Sequence, residues 1–267
     1  DGGDYQLDSI ICYDADGITK RVRAVYTFDY GNDNLVITEY SDEWRDNKWE
    51  RGSMEVTTCT GKIPKMTQGC YNFLSYHPAQ EKGTIGWEKV SSISYDYFSD
   101  GEWRKEHNYE ETYTVNANGC LIETNSQEGD RDRIYYKEKS VYTSNSQGQP
   151  ISSENYMKDQ FNDDLELRSK SEYTYNKDGK LVLIMSAEWD YTKEAWGEFV
   201  KKEEISYNGN QIELVDWGFE EELYRKYVCT YDGHGNILNM KWYSGSPQRE
   251  GEWKLGSINQ YYYSKVK

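Results

Sequence analysis

The chain has 267 residues, a net charge of −16 near neutral pH and a mean hydropathy of −1.00. Its 47 acidic side chains outnumber 31 basic ones, and this surplus repels phosphate backbones, so we expect no nucleic-acid partner. No stretch of the sequence approaches the roughly 18 consecutive apolar residues of a membrane helix, so we expect no membrane span.

Aromatic residues take the place of scarce aliphatic ones. A low content of bulky aliphatic residues with a high net charge is ordinarily typical of disorder, but this chain carries 26 Tyr and 9 Trp. Such side chains bury large areas, keep a polar edge for water and favour pleated strands. We therefore predict an all-β protein with a thin core. Because no segment has a linker-like composition, we expect one domain over residues 1–267.

The first residues, Asp1-Gly2-Gly3-Asp4, are small and polar. Such a start is typical of the trimmed end of an exported protein, and exported bacterial lipoproteins often carry a similar tether after the lipid-bearing cysteine. A chain boundary set for other reasons would look the same. We expect an exported protein in the periplasm, at the outer-membrane surface or outside the cell, and a lipid anchor before Asp1 would fit.

Asp14-Ala15-Asp16-Gly17 resembles the start of a calcium loop. However, Ile18 stands at the fifth position, and Val25 replaces the bidentate Glu expected at the twelfth. The three histidines have no Cys or His neighbour at the spacing of zinc ligands. We therefore predict a hairpin turn here, no metal site and no cofactor.

Tryptophans recur at one end of each predicted hairpin, where a polar loop meets a strand. The spacing of the paired ones predicts loops that two tryptophans staple across the strands. The residues are Trp44 with Trp49, Trp189 with Trp196, Trp242 with Trp253 around a longer loop, and Trp103 and Trp217 singly.

The segment from Gly69 to Lys89 fits no repeat and contains Cys70, His77 and Pro78. We interpret it as an insertion or a distorted unit. No segment of the chain shows sustained helical periodicity, so we predict no helix.

A turn motif recurs from Tyr113 to the C-terminus. Tyr-x-Tyr alternation places both rings on one face of a strand, and Asn or Asp followed by Gly supplies the positive φ of a tight hairpin turn. The turn glycines lie 29, 31, 30 and 26 residues apart and are Gly119, Gly148, Gly179, Gly209 and Gly235.

This spacing predicts successive antiparallel β-hairpins in units of about 30 residues. We expect them to form a long twisted sheet or a solenoid-like array in which each unit contacts its neighbours. Closure into a barrel or a sandwich, which would remove the exposed edges, is the alternative.

The string Tyr231-Asp232-Gly233-His234-Gly235-Asn236-Ile237-Leu238 resembles the core of a YD repeat, YDxxGN followed by an apolar residue. The resemblance covers Tyr113 to the C-terminus and, more weakly, residues 10–65. It departs from that family in its longer period and its tryptophan-flanked loops. The chain also resembles Tyr- and Trp-rich secreted proteins of gut Bacteroidetes, which implies export and a surface or periplasmic site, and brings no catalytic residue.

Ligand contact through the aromatic residues is the strongest functional hypothesis. Rows of Trp and Tyr can stack on sugar rings and anchor protein interfaces, whereas in a thin sheet the same rings can be the core. We expect a non-enzymatic binding module for a glycan or an envelope partner protein; the alternative is a structural spacer or adhesin-like element with no small ligand. The candidate binding residues are Trp44, Trp49, Trp103, Trp189, Trp196, Trp217, Trp242 and Trp253.

Catalysis has little support in the sequence. Glu43, Glu102, Glu188 and Glu252 stand beside tryptophans, as the paired carboxylates of a glycoside hydrolase would, but they recur at repeat positions typical of solvated strand ends. The chain has no GxSxG motif and no phosphate-binding glycine loop. We therefore expect no catalytic residue and no enzyme, with a glycoside hydrolase as the distant alternative.

Five cysteines cannot all pair within one chain, and the sequence has no CxxC motif. We expect most of them to be small buried thiols. A disulfide between Cys59 and Cys70, the pair closest in sequence, stays open. The full set is Cys12, Cys59, Cys70, Cys120 and Cys229.

Overall fold

The computed structural model describes residues 5–63, 65–76, 84–130, 133–158, 164–217, 224–245 and 252–265. These residues form 17 β-strands and one short helix. In chain order the elements are β1 Tyr5–Asp14, β2 Lys20–Tyr30, β3 Asn34–Arg45, β4 Lys48–Lys62, α1 Gln68–Leu74, β5 Trp87–Tyr97, β6 Trp103–Val115, β7 Leu121–Gly129, β8 Ile134–Ser144, β9 Pro150–Lys158, β10 Glu166–Tyr175, β11 Leu181–Asp190, β12 Ala195–Trp196, β13 Lys201–Asn208, β14 Gln211–Asp216, β15 Tyr224–Tyr231, β16 Ile237–Gly245 and β17 Lys254–Lys265.

Sixteen of these strands close into one antiparallel barrel. Each pairs with its neighbours in chain order, and β1 also pairs with β17, from Tyr5 opposite Lys265 to Asp14 opposite Ser257. The two-residue β12 pairs with β11, and β13 takes the next place in the ring. The predicted all-β fold of antiparallel strands is confirmed.

The preferred open sheet or solenoid-like array is wrong, and the barrel alternative is correct. The reason is physical: pairing β1 with β17 gives hydrogen-bond partners to the two edges that an open sheet would leave exposed. The hairpin repeat itself is the same in both arrangements, so the repeat alone could not separate them.

Because the strands run up and down, successive connections alternate between the two ends of the barrel. One end, here called the glycine end, holds the tight turns that follow β2, β6, β8, β10, β13 and β15, together with the long β4–β5 connection. The opposite end, here called the tryptophan end, holds the remaining connections. The five turns from Gly119 to Gly235 therefore lie at one end of the barrel and the tryptophan-flanked loops at the other, where the predicted turn at Asp14–Gly17 also lies.

Alternation along each strand separates an inward row of side chains from an outward row. On β10, Ser171, Tyr173 and Tyr175 point inward, while Lys170 and Glu172 point outward. The outward rows of β6 to β8 are polar and carry ion pairs, so hydrophobic packing is on the inward side.

The buried hydrophobic residues form two clusters, and Tyr113 of β6 packs against both. The first cluster consists of Leu7, Tyr26, Leu35, Ile37, Cys59, Trp87 and Val90. The second consists of Cys70, Phe73, Leu121, Leu181, Ile184, Ile205 and Leu214.

Helix α1 begins at the glycine end and enters the second cluster through Cys70 and Phe73. The Thr67 side chain caps it by accepting a hydrogen bond from the Cys70 N–H at 3.1 Å. A seven-residue helix is too short to be stable alone, so packing against the barrel must hold it. The segment 69–89 interrupts the hairpin pattern as predicted, but its helix was not predicted. His77 and Pro78 lie outside the described residues.

No helix in the part of the chain that the structure describes is long and apolar enough to cross a membrane.

All five cysteines are free, and Cys59, Cys70 and Cys229 are buried. The prediction of mostly buried thiols is confirmed, and the open possibility of a Cys59–Cys70 disulfide is not realised. Burial raises the pKa of the Cys59 and Cys70 thiols to about 11.

Candidate functional site

The turns of the glycine end share one hydrogen-bond pattern. Asn116 Oδ1 accepts hydrogen bonds from the N–H groups of Asn118 and Cys120, at 2.9 and 3.1 Å. The Gly119 N–H donates to the Asn116 carbonyl at 2.9 Å, and the φ of Gly119 is +80°, a region that favours glycine. The same pattern recurs in the turns that begin at Asn145, Asn176 and Asp232. The predicted turn chemistry is confirmed.

Tyrosine hydroxyls tie neighbouring hairpins together just inside these turns. Tyr175 Oη donates to the Pro150 carbonyl at 2.7 Å, and Tyr207 Oη donates to the Leu181 carbonyl at 3.0 Å. Their rings belong to the surroundings of the second hydrophobic cluster. The inward rings of Tyr175 and Tyr207 therefore contribute to the core, and each hydroxyl is paired to a strand that precedes it in the chain.

The residues before α1 sit directly against two of the turns. The Thr67 N–H donates to the Gly119 carbonyl at 2.9 Å, and Thr67 Oγ1 donates to the Gly148 carbonyl at 3.5 Å. A Cβ atom on Gly119 would lie 1.6 Å from the Lys65 carbonyl oxygen. Gly119 is thus required both for its backbone angle and for the close approach of this segment.

Tryptophan pairs join the strands at the opposite end. Trp44 and Trp49 face each other in register, with ring centroids 4.9 Å apart at 68°. Trp189 and Trp196 do the same at 5.0 Å and 79°. Such edge-to-face contacts are favourable beyond the area they bury. The predicted tryptophan staples are confirmed for these two pairs.

Basic side chains lie over the rings of these pairs. Lys20 Nζ is 4.7 Å from the centroid of the Trp44 ring, and the Arg23 guanidinium carbon is 4.9 Å from that of Trp49. Lys170 Nζ lies 5.3 Å from the centroid of Trp196. Cation–π contacts of this kind occupy ring surface that a stacking ligand would need.

The remaining candidate tryptophans have different surroundings. Trp103 contacts Tyr97, at 4.9 Å between ring centroids. Trp253 packs against Trp217 at 6.2 Å, while Trp242 faces the interior opposite Tyr227. The predicted pairing of Trp242 with Trp253 around their loop is therefore wrong, because the two rings lie on opposite faces of the barrel wall. All eight candidates are half-buried, and ligand contact by them stays a prediction.

The inward face encloses a cavity of about 450 Å³ next to α1. Its aromatic lining consists of Phe73, Tyr76, Tyr113, Tyr142 and Tyr173. Its charged lining consists of Glu111, Glu188, Glu203 and Lys201. A concave space of this size with several aromatic walls and a few polar groups has the features of a small-molecule site.

Two of the cavity carboxyls lie in a water-poor environment. Burial raises the pKa of Glu111, although the Tyr113 and Tyr109 hydroxyls hydrogen-bond to its carboxyl. Burial also raises the pKa of Glu203, and the Lys201 ammonium, 3.4 Å from Glu203 Oε1, acts in the opposite direction. Ionisation of either carboxyl is thus less favourable than in water.

Sequence reasoning missed Glu111 and Glu203. The signal was present, since each stands two residues before an inward residue, Tyr113 or Ile205, and side chains two apart share a face.

Of the four acids beside tryptophans, Glu188 lines the cavity, whereas the other three, Glu43, Glu102 and Glu252, are exposed outside it. Among the residues that the structure describes, no group of three or more His, Cys, Asp and Glu side chains could hold a metal ion.

No protein-family model matches the chain, and no curated protein matches it in sequence. A protein of unknown function from Bacteroides fragilis NCTC 9343 is 18% identical, with a TM-score of 0.35 over 48% of this chain and 91% of that chain. A porin-like protein from Bacteroides uniformis ATCC 8492 is 12% identical, with a TM-score of 0.45 over 97% of this chain and 98% of that chain. At these TM-scores neither structure bears on the function of this chain.

Proposed function

We propose that the chain is a non-enzymatic structural element of the bacterial cell envelope, a rigid barrel of the spacer or adhesin-like kind. One observation carries the proposal: most of the tryptophans that sequence analysis assigned to ligand binding contact another tryptophan, and basic side chains lie over their rings. Trp44 and Trp49 are in edge-to-face contact beneath Lys20, and Trp189 and Trp196 are in edge-to-face contact beneath Lys170. These contacts favour a role in stapling the strands over a role as an open platform for sugars.

The outward side of β5 to β8 supports a water-facing position for this part of the barrel wall. Ion pairs lie along it at Lys89–Glu110 (2.5 Å) and Lys139–Glu123 (2.7 Å). A lipid-facing barrel wall carries an apolar band, and Lys at the centre of a bilayer costs about 2–4 kcal/mol. Such a wall suits the periplasm or the cell surface, where the resemblance to secreted Tyr- and Trp-rich proteins also points.

The double variant Trp189→Ala with Trp196→Ala tests the structural role. We expect it to lower the free energy of unfolding by about 2 kcal/mol, from the lost ring pair and the lost cation–π contact. The conservative variant Trp189→Phe with Trp196→Phe is the control and should retain most of that stability. Thermal and urea unfolding measure both.

The rival hypothesis, a glycan or envelope partner bound by the tryptophan face, is tested on the same proteins. A glycan array and a pull-down from envelope extract should give no saturable signal that depends on these tryptophans. Lost binding with an unchanged melting temperature would contradict the structural proposal and support the binding module.

The compartment is tested by fractionation of cells that express the full-length protein, followed by immunoblotting. We expect the protein in the periplasm, in the outer-membrane fraction or in the medium. Recovery from the cytoplasm alone would contradict the envelope assignment.

A further inference from the structure

The cavity beside α1 carries an excess of negative charge. Its lining includes the carboxylates of Glu111, Glu188 and Glu203, against the single ammonium of Lys201. Lys201 lies 3.4 Å from Glu203 Oε1 and 3.8 Å from Asp216 Oδ2, so its charge is shared between two carboxylates. The region around Glu111 has no basic side chain among the residues that line the cavity.

Aromatic rings form much of the remaining wall. Phe73 stands 4.7 Å from Tyr173 and 5.8 Å from Tyr142 between ring centroids, in edge-to-face contacts at 77° and 74°. Tyr76 and Tyr113 complete this aromatic lining. Ring faces attract a cation within about 6 Å of the centroid, and desolvation strengthens the attraction.

The two features together select one chemical class of ligand. A neutral sugar could stack on the rings but would leave Glu111 without a counter-charge and Glu203 with a Lys201 ammonium that it shares with Asp216. A hard metal ion requires several oxygen ligands at about 2.3–2.6 Å, and no suitable group occurs in the described part of the chain. An ammonium group can form ion pairs with the carboxylates and cation–π contacts with the ring faces at the same time.

We propose that this cavity binds a small organic cation, with the ammonium group between the aromatic rings and the carboxylates of Glu111 and Glu203. The inference goes beyond the structural role of the barrel wall and does not depend on it. The raised pKa values of both carboxyls are consistent with this, because a bound cation would supply a counter-charge that Glu111 lacks and would add to the Lys201 charge that Glu203 shares with Asp216.

Isothermal titration calorimetry with choline, putrescine and spermidine, run beside glucose and glutamate, tests the ligand class. We expect saturable binding of at least one ammonium probe at millimolar concentration or below, and none of glucose or glutamate. Absence of binding by all three ammonium probes up to about 10 mM, or preferential binding of glucose, would overturn the proposal.

Three variants test whether the cation binds in this cavity, because they should change the affinity for the ammonium probe in different ways. Glu111→Gln with Glu203→Gln should weaken binding of the ammonium probe at least 10-fold, whereas Lys201→Gln should tighten it because it removes the competing ammonium. Glu172→Gln, an exposed carboxyl on the outer face next to Tyr173, is the matched control and should bind as the unmodified chain does.

Melting curves and near-ultraviolet circular dichroism establish that each variant is folded. Because the glutamine changes remove charges that burial disfavours, we expect these two carboxyl variants to fold at least as well as the unmodified chain. Unchanged binding in the folded double variant, or weaker binding in Lys201→Gln, would place the cation elsewhere and overturn the assignment. The structural proposal is judged separately, by the stability of the tryptophan variants.

Discussion

The two ends of the barrel connect and hold their strands by different interactions. At the glycine end, backbone geometry closes each hairpin, and the Asn116 side chain repeats the hydrogen bonds that Asn145, Asn176 and Asp232 also make. At the tryptophan end, connections vary in length, and side-chain pairs such as Trp44 with Trp49 hold the strands together. At the tryptophan end the aromatic pairs join strands across turns of different length: Trp44 and Trp49 flank a two-residue turn, and Trp189 and Trp196 flank a longer one.

The largest expected difference between the ends comes from α1, the one helix among the described residues, which is inserted at the glycine end. Phe73→Ala removes the ring that α1 packs into the second cluster, and we expect it to lower the free energy of unfolding by about 3–5 kcal/mol. Tyr71→Ala on the exposed face of the same helix is the control and should change it by less than about 0.5 kcal/mol. Urea unfolding measures both. Equal effects would show that α1 is not inserted as described.

A matched pair of glycines separates backbone strain from packing at the same end. Gly119→Ala forces a Cβ against the Lys65 carbonyl at 1.6 Å in a positive-φ position, so we expect a loss of about 3 kcal/mol. Gly235→Ala meets no atom within 4 Å and should cost only the backbone strain, about 1 kcal/mol. Similar melting temperatures for the two variants would contradict the contact between the turn and the segment before α1.

A double-mutant cycle tests the staples at the tryptophan end. We expect Trp44→Ala and Trp49→Ala to be coupled by about 0.5–1.5 kcal/mol in the free energy of unfolding, since the two rings are in direct contact. Trp44→Ala combined with Trp189→Ala should instead be additive within about 0.5 kcal/mol, because those residues belong to separate hairpins. Coupling in the second cycle and none in the first would refute the staple.

The buried carboxyls of the cavity predict a pH dependence of the free energy of unfolding. A carboxyl whose pKa is raised by folding is ionised more readily in the unfolded chain, so its effect on stability becomes unfavourable as pH rises. Glu203→Gln should therefore gain stability relative to the unmodified chain as pH rises above the ordinary Glu value of about 4.3, until the raised pKa is passed. Thermal unfolding between pH 4 and pH 8 measures the difference, and a difference that shrinks with pH would contradict the burial of Glu203.

How much the sequence could predict follows from how local each feature is. Tyr173, Tyr175 and Gly179 lie within one hairpin, so alternation and turn chemistry were enough to predict the strand, its face and its turn. The contact of Phe73 with Tyr142 joins residues far apart in the chain, and seven helical residues are too few to show a period. No local sequence pattern could therefore predict the helix or its contact with the barrel.

Barrel closure and the formation of the cavity both depend on contacts between residues that are far apart in the chain. The pairing of β1 with β17 joins the two ends of the described chain, and the hairpin repeat does not encode whether its first and last strands meet. Glu111 and Glu203 could be placed on inward faces from alternation alone. Their presence in one cavity follows only from the curvature of the closed barrel.

Amide hydrogen exchange of β1 and β17, followed by mass spectrometry, tests barrel closure most directly. In a closed barrel both strands have a neighbour on each side, so their amides should exchange as slowly as those of β4, which lies between β3 and β5. Protection of β1 and β17 at the level of β4 is the expected result. Rapid exchange of alternate amides in both strands, with β4 protected, would mean that the two edges are open and would contradict the closed barrel.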